Sequence, residues 1–227
     1  MTTEAAIRAT PTLDAVVPAV RITPRFRRNR FKMFRAMLDE LVDTHGVIRI
    51  LDIGGGRGYW EDMRGLWDDL PLEITLANLD VEDSDDPPFL TRHASACDLS
   101  RYADNSFAVV HSNSVIEHVG HWPEMQAMAK EVRRLAPRYF VQTPNFWFPY
   151  EPHYRGLFMQ FFPESVRAGM IVQKKRGFIG AATYHEAMKE VQEINLLTTR
   201  QMAELFPDAI IRHENIGPFT KSLIAIR

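Results

Sequence analysis

Four glycines follow directly on a short run of apolar, mostly β-branched residues: Gly54, Gly55, Gly56 and Gly58. The run, residues 47–53, predicts a buried parallel strand, and the glycines predict a sharp turn at its end. Because glycine has no side chain, the main chain can turn tightly there and approach a ligand closely. A helix that starts after such a turn presents free amides with positive partial charge. The spacing therefore predicts a nucleotide-binding turn.

The residue after the last glycine narrows the choice of nucleotide. The dinucleotide fingerprint requires a small residue where Tyr59 stands, which disfavours NAD. A phosphate-binding loop for ATP requires Lys and then Ser or Thr after Gly58, and Tyr59 is neither. The remaining pattern is Gly54-x-Gly56-x-Gly58 preceded by Leu51-Asp52-Ile53. This pattern resembles the class I S-adenosylmethionine-dependent methyltransferases, and the resemblance assigns Asp52 and all four glycines to the cofactor.

A carboxylate at the end of the next predicted strand supports that resemblance. Residues 72–79 predict a strand, and Asp80 follows it, 22 to 26 residues beyond the glycines. A carboxylate at this place lies where the two ribose hydroxyls of a bound adenosine are expected, and it can accept a hydrogen bond from each. We therefore expect Asp80 to bind the ribose.

The resemblance assigns four further residues to the cofactor. Asp98 and Leu99 stand at the end of the third predicted strand and occupy the family's adenine-binding position, with Asp98 facing the adenine amino group. Ser112 and Asn113 follow the fourth predicted strand, within a stretch from Asp104 to Val119 that resembles the family's methyltransferase type 11 pattern. One departure is Ala108, which stands where the family usually has an aspartate.

Two histidines are candidate general bases for a methyl acceptor. His153 lies two residues after Glu151, and His118 directly follows Glu117. Histidine titrates near neutral pH, and a neighbouring carboxylate can fix its tautomer. Catalytic and merely positioning roles are both open for His153, His118 and Glu151. The other histidines show no metal-ligand spacing, so the sequence predicts no metal.

A long connection predicts where the acceptor binds. Residues 144–197 lie between the fifth predicted strand and the last predicted helix, which is far more than such a connection needs. Its first eleven residues contain five aromatic side chains and three prolines. This composition predicts an aromatic substrate lid. The residues we expect to bind the acceptor are Phe146, Trp147, Tyr150 and Tyr154. The alternative is that these aromatics form only the lid's own core.

Periodicity predicts the elements that position these side chains. Strands are expected at 47–53, 72–79, 91–98, 107–111, 139–143, 209–213 and 222–226. Helices are expected at 25–43, 59–70, 123–135 and 197–206. The family resemblance implies a doubly wound, Rossmann-like α/β sheet of seven strands in the order 3-2-1-4-5-7-6. Its last strand is antiparallel, and the lid is inserted after the fifth strand.

Composition limits the class of protein. The chain has 227 residues, of which 45% are hydrophobic, so it can bury one substantial core. We expect a leader over 1–24, mobile because it lacks periodicity, and one domain over 25–227. A single cysteine excludes an internal disulfide, and the sequence contains neither an 18-residue apolar run nor a signal peptide. These features predict a soluble, cytoplasmic protein.

The formal net charge is −2, so no overall field attracts nucleic acid. The only asymmetry is a basic stretch, residues 21–35, with seven cations. It predicts a solvated helix face or, alternatively, an arm that binds phosphate or RNA. The hypothesis we favour is a methyltransferase for a small-molecule or a carbohydrate- or lipid-linked acceptor, with oxygen slightly favoured as the accepting atom.

Three alternatives remain open: an RNA methyltransferase, a cofactor-binding partner subunit without activity, and a dehydrogenase. The block Asn-Pro-Pro-Tyr, which marks many methyltransferases of nucleobase and amide nitrogens, is replaced by Thr143-Pro-Asn-Phe146. A DNA or amide target is therefore less favoured. The N-terminal helix or the lid could also form an oligomer contact.

Overall fold

A computed structural model describes residues 23–42 and 46–227. The predicted leader, residues 1–24, lies outside the described residues except for positions 23 and 24, at the start of the first helix. The helices are α1 Thr23–Val42, α2 Arg57–Asp62, α3 Trp122–Leu135, α4 Glu164–Ile171, α5 Tyr184–Gln192 and α6 Thr199–Leu205. The strands are β1 Ile48–Ile53, β2 Leu72–Asn78, β3 Ser84–Asp86, β4 Phe89–His93, β5 Val109–Asn113, β6 Arg138–Pro144, β7 Tyr150–Glu151, β8 Gly156–Leu157, β9 Ile210–Ile216 and β10 Phe219–Ile226.

Eight of the strands form one sheet in the order β3-β4-β2-β1-β5-β6-β10-β9. β4, β2, β1, β5 and β6 run parallel to one another, and β10 is antiparallel to both β6 and β9. The predicted order and the antiparallel last strand are confirmed. β3 is an extra edge strand that pairs with β4 in antiparallel fashion and that the sequence did not predict.

The sheet has a hydrophobic layer on each face, as a doubly wound fold requires. On one face α1 and α2 bury Phe31, Phe34 and Trp60 against the sheet. On the other face α3 and α6 bury Met128 and Met202. β1 is therefore buried on both sides, and only Arg49 within it is exposed.

Two predicted helices differ from the structure in detail. α1 covers Thr23–Val42 rather than 25–43, and within it Phe31 is fully buried whereas Met33 is 41% exposed. The helix after the glycines ends at Asp62 rather than at Leu70. The Trp60 carbonyl accepts hydrogen bonds from the Met63 amide and from Trp67 Nε1. These bonds close the helix in place of the i to i+4 bond that would extend it.

The third predicted strand, residues 91–98, is wrong in its bounds, because β4 covers Phe89–His93 and a turn follows. In that turn the amide of Asp98 donates to the carbonyl of Ser95, and the amide of Cys97 donates to Ser95 Oγ. The serine side chain thus offers the backbone a turn in place of a strand ladder. The fourth strand, β5, lies two residues later than predicted and ends at Asn113.

The long connection between β6 and α6 is an inserted segment, residues 145–198, with a small core of its own. Tyr154, Met159, Ile171 and Val191 are buried together in it. It is attached to the main sheet where the amide of Asn195 donates to the carbonyl of Glu117 at 2.8 Å. The inserted segment therefore folds beside the residues that follow β5.

Within the described residues, we find no helix that combines the length and the apolar character needed to cross a membrane.

Candidate active site

The glycine turn after β1 requires glycine at two positions. Gly54 has a φ of +72°, in the left-handed region, and a Cβ added to it would lie 2.5 Å from Val115 Cγ2. A Cβ on Gly55 would lie 1.7 Å from Asp52 Oδ2. The turn is thus packed between the Asp52 side chain below it and the segment that follows β5.

Asp52, predicted as a cofactor ligand, is buried, and both of its carboxylate oxygens are engaged by the protein. Trp60 Nε1 donates to Oδ2 at 2.7 Å, and His111 Nδ1 lies 2.7 Å from Oδ1. The His111 ring stacks on Phe140 and Tyr59, and its Nε2 lies 3.4 Å from the Tyr59 hydroxyl. Burial raises the pKa of that tyrosine, so its hydroxyl stays protonated.

The sequence pattern did not predict this buried network, because His111 has no metal-ligand spacing to other histidines. The sequence does place Asp52 and His111 near the carboxyl ends of two predicted strands, and in the structure they are direct partners in the β1–β5 register.

Asp80 is exposed, two residues beyond the end of β2. Its carboxylate forms no hydrogen bond or ion pair with any described residue. Nearby, Asn78 Nδ2 lies 3.4 Å from the Gly54 carbonyl, and Asn78 Oδ1 accepts from the Leu79 amide. Asn78 therefore connects the end of β2 to the glycine turn. The Asp80 carboxylate, which takes no part in these bonds, is available to a ligand.

The predicted adenine-binding residues lie in the turn after β4. Asp98 is exposed, and its Oδ1 accepts from the Ser100 amide at 3.1 Å; hydrogen bonds from Ser100 hold the pKa of this carboxyl below its usual value. Leu99 is buried, and its amide donates to Glu131 Oε2. Leu99 is thus enclosed by the core, and neither its side chain nor its amide is open to a ligand.

Ser112 and Asn113, the last two residues of β5, differ in burial and in hydrogen bonding. Ser112 is buried, and its hydroxyl donates to the Ile53 carbonyl at 3.1 Å, which couples β5 to the residue before the glycine turn. Asn113 is half-buried, and its side chain has no hydrogen-bond partner among the described residues. Of the two, Asn113 is the side chain that can contact a ligand.

The structure brings the three predicted catalytic residues together. His118 Nε2 and His153 Nε2 lie 3.1 Å apart, and the rings meet edge to face. His153 Nδ1 lies 2.6 Å from Oε1 of Glu151, which is buried, and Glu151 Oε2 accepts from the Tyr154 amide. His118 Nδ1 lies 3.1 Å from the carbonyl of Glu193. We call Glu117, His118, Glu151 and His153 the histidine cluster.

The two histidines have opposite pKa shifts. Loss of surrounding water lowers the pKa of His118, and the partial opposition from Glu117 does not reverse this. Burial also acts to lower the pKa of His153, but its hydrogen bond to Glu151 and the charges of Glu151 and Glu117 outweigh burial and raise it. The pair is therefore suited to hold one proton, on the side of His153.

Glu117 is the buried carboxylate of the histidine cluster. Its side chain is fully buried, Oε2 accepts from the Thr143 hydroxyl at 2.9 Å, and Oε1 has no partner among the described residues. The cluster is close to the glycine turn, because Val115, which packs on Gly54, accepts at its carbonyl a hydrogen bond from the His118 amide.

A cavity of about 270 Å³ lies between the inserted segment and the N-terminal end of α3. Its walls include Phe146, Glu151, Tyr154 and Arg167. Trp147 and Tyr150, also predicted to bind the acceptor, lie outside this cavity and are exposed. Two of the four predicted aromatic residues therefore line the cavity, and the other two form an outer aromatic surface.

Comparison with known proteins gives one family match. Residues 51–138 match the family model described as a methyltransferase domain. These residues include the glycine turn, Asp80, Asp98 and the end of β5. No curated protein matches the chain significantly.

Solved structures share the fold at low sequence identity. The carbon methyltransferase of CurJ is 10% identical with a TM-score of 0.53, and the match covers 86% of this chain and 52% of that one. The CMeT domain of the citrinin polyketide synthase is 13% identical with a TM-score of 0.51, covering 86% and 51%. A protein described as a Zn-dependent alcohol dehydrogenase from Rhodobacter sphaeroides is 8% identical with a TM-score of 0.50, covering 79% and 83%.

The chain spans about half of the length of the first two structures. The likeness to all three establishes the fold and not the reaction, since one has a different activity in its description. The family match coincides with the predicted glycine turn and with the strand-end carboxylates Asp80 and Asp98. Residues 51–138 are therefore similar to a methyltransferase domain.

Proposed function

We propose that this chain transfers a methyl group from S-adenosylmethionine to a small organic acceptor, with a hydroxyl oxygen favoured over carbon and nitrogen. One observation carries the proposal. Within the segment matched by the family model, a glycine turn and a carboxylate without a protein partner, Asp80, stand at the ends of adjacent parallel strands. The ends of parallel strands are where open α/β sheets bind their ligands.

In this proposal the chain holds the cofactor from three sides. Asp80 accepts hydrogen bonds from the ribose hydroxyls, the main chain from Gly54 to Gly58 faces the methionyl part, and Asp98 takes the adenine amino group. Asn113 contacts the cofactor from β5, whereas Asp52 and Ser112 act indirectly by fixing the glycine turn. The cofactor supplies an electrophilic methyl group, so the chain has to align the acceptor and remove water.

The cavity of about 270 Å³ supports a small acceptor, because sites for drug-sized ligands are commonly about 300–1,000 Å³. Phe146 and Tyr154 give it apolar walls, and Arg167 adds a positive charge whose Nε has no partner among the described residues. A compact hydroxylated ring that carries a carboxylate or carbonyl would suit these walls. Trp147 and Tyr150 would cover the mouth of the site.

The histidine cluster supports removal of a proton from a hydroxyl acceptor. The lowered pKa of His118 keeps its ring neutral near pH 7, so it can accept a proton, and Glu151 orients His153 beside it. Since the two Nε2 atoms are 3.1 Å apart, a proton accepted by one ring can be shared with the other. An acceptor that has no proton to lose would not need this cluster.

The proposal is tested by incubating the tag-free chain with S-adenosylmethionine and a panel of phenols, hydroxy acids, amines and short RNAs. The measurement is release of S-adenosylhomocysteine. We expect turnover with at least one hydroxylated small molecule, and a loss of at least about 100-fold in His153→Ala at unchanged S-adenosylhomocysteine affinity.

Two results would contradict the proposal. Cofactor binding without turnover on any acceptor would favour the inactive partner subunit. Turnover on RNA alone, with binding that falls steeply as salt rises, would favour an RNA methyltransferase. The structure weakens the RNA alternative, because Arg30 of the basic stretch pairs with Glu214, and Arg35 pairs with Asp69.

A further inference from the structure

Three side chains of the histidine cluster converge on one point. Glu117, His118 and His153 each offer one ligand atom, and these atoms all lie within 4.8 Å of one another. Glu117 and His118 come from the turn after β5, and His153 comes from the inserted segment. The site thus joins the two parts of the chain, and a spacing of 35 residues between the two histidines explains why sequence spacing did not indicate it.

The hydrogen bonds of the two rings fix which nitrogens face each other. His153 Nδ1 faces the Glu151 carboxylate, and His118 Nδ1 faces the Glu193 carbonyl. Both partners can only accept, so each Nδ1 carries a hydrogen. In the neutral rings both Nε2 atoms are therefore acceptors, and two acceptors 3.1 Å apart require a proton or a cation between them.

The distance between the Nε2 atoms of His118 and His153 suits a metal ion bound to both. Metal–nitrogen bonds of about 2.0–2.1 Å at a tetrahedral angle place two ligand nitrogens about 3.3 Å apart, and a right angle places them about 2.9 Å apart. The observed 3.1 Å lies between these values. The Glu151–His153 hydrogen bond has the form of the carboxylate that orients a metal-binding histidine in known sites.

The charge of Glu117 also favours a cation. Its carboxylate is fully buried, only Oε2 has a partner, and that partner is the neutral Thr143 hydroxyl. The unpartnered Oε1 is a second, independent sign of an unsatisfied site. An ionised carboxylate is costly to bury unless it is paired or coordinates a metal.

We propose that Glu117, His118 and His153 bind one divalent transition-metal ion, with zinc as the first candidate, and leave a coordination position open. Two imidazole nitrogens favour zinc and its neighbours over magnesium or calcium, which prefer all-oxygen sites. Three protein ligands and one open position are typical of catalytic zinc sites. The ion takes the place of the proton that the histidine pair otherwise holds. If the proposed methyl transfer to a hydroxyl is correct, the open position would bind that hydroxyl and lower its pKa.

The test uses tag-free protein that has been treated with a chelator and then titrated with Zn²⁺ by calorimetry, without cofactor or acceptor. We expect one equivalent to bind with a Kd below about 1 μM. Titration with Co²⁺ should give the intense visible absorption of a four-coordinate ion. Because neither readout uses turnover, failure of the methyltransferase proposal would leave this test intact.

Three variants decide whether the ion binds at this cluster. His153→Ala should weaken Zn²⁺ binding at least 100-fold, and Glu117→Gln should weaken it by a similar factor. Glu151→Gln removes the orienting carboxylate and should weaken binding about 10- to 100-fold while the stoichiometry remains one. His185→Ala is the matched control, because His185 is exposed on α5 and should leave binding unchanged.

Far-UV circular dichroism and the thermal midpoint of each variant confirm that it is folded. Two results would overturn the inference: no Zn²⁺ uptake by the folded wild type, or an equal affinity in the wild type and in folded His153→Ala. In the first case the occupant between the rings is a proton alone.

Discussion

At the scale of single residues, the site is built on carboxylates with different environments. Asp52 is enclosed by Trp60 and His111 and serves the protein, whereas Asp80 is exposed and free to serve a ligand. The sequence pattern assigned both to the cofactor, because spacing alone cannot tell an enclosed oxygen from an open one. The two carboxylates differ in their hydrogen-bond partners, which only the folded structure defines.

Replacing Asp52 by Ala should reduce the free energy of unfolding by about 2–5 kcal/mol, because two buried donors, Trp60 Nε1 and His111 Nδ1, lose their acceptor. Urea denaturation measures the change. Asp68→Ala is the control, since Asp68 is exposed and its side chain has no partner among the described residues. A loss below about 0.5 kcal/mol in Asp52→Ala would mean that the network does not stabilise the turn.

Replacing Asp80 by Ala should weaken S-adenosylhomocysteine binding at least about 100-fold, with little effect on stability. Hydrogen bonds to a charged acceptor contribute about 1.5–3 kcal/mol each, and two of them are expected with the ribose. Calorimetry on Asp80→Ala and on the same control, Asp68→Ala, measures the effect. Equal affinities in the two variants would show that the ribose binds elsewhere.

At the scale of elements, the inserted segment depends on one tight turn. Gly177 has a φ of +60°, and the amide of the next residue, Phe178, donates to the His153 carbonyl at 2.9 Å. A Cβ on Gly177 would lie 2.3 Å from that carbonyl oxygen. The turn therefore packs directly against the main chain of a histidine in the proposed site.

Gly177→Ala should lower the free energy of unfolding by more than the left-handed conformation of alanine alone would, because the added Cβ meets backbone atoms that cannot easily move. Gly217→Ala is a matched control: its φ is +56°, and its Cβ would meet nothing within 4 Å. We expect a loss of about 1 kcal/mol in unfolding free energy for Gly217→Ala and about 2–4 kcal/mol for Gly177→Ala, by urea denaturation. Equal losses would indicate that the loop relaxes freely.

The order of the strands could be predicted because apolar runs, glycines and strand-end carboxylates recur along the chain in the order that a parallel sheet needs. The bounds of α2 and β4 could not, because Trp67 and Ser95 redirect backbone hydrogen bonds through their side chains. The convergence of His118 and His153 could not be predicted either. It depends on how the inserted segment folds, and periodicity does not encode that.

At the scale of the whole molecule, a buried ion pair joins the N-terminal helix to the C-terminal hairpin. Arg30 on α1 donates to Glu214 on β9 at 2.8 Å, and Lys221 on β10 shares the same carboxylate oxygen. Burial, followed by the nearby charge of Arg30, lowers the pKa of Lys221 despite its bond to Glu214. The pair fixes α1 over the sheet face on which the Asp52 network lies.

Arg30→Met should reduce the unfolding free energy by about 1–3 kcal/mol, less than for an isolated buried pair, because Lys221 still compensates Glu214. A double-mutant cycle with Glu214→Gln, measured by denaturation, should give a coupling energy of about 1 kcal/mol or more. Additive effects of the two substitutions would show that the pair does not hold α1 to the hairpin.

The most direct test of the account is a crystal structure of the chain with S-adenosylhomocysteine bound. We predict that both ribose hydroxyls lie within hydrogen-bond distance of the Asp80 carboxylate, with the amino-acid part of the ligand against the main chain of Gly54–Gly58. A ligand bound away from the ends of β1 and β2, or a ribose that does not touch Asp80, would contradict the account.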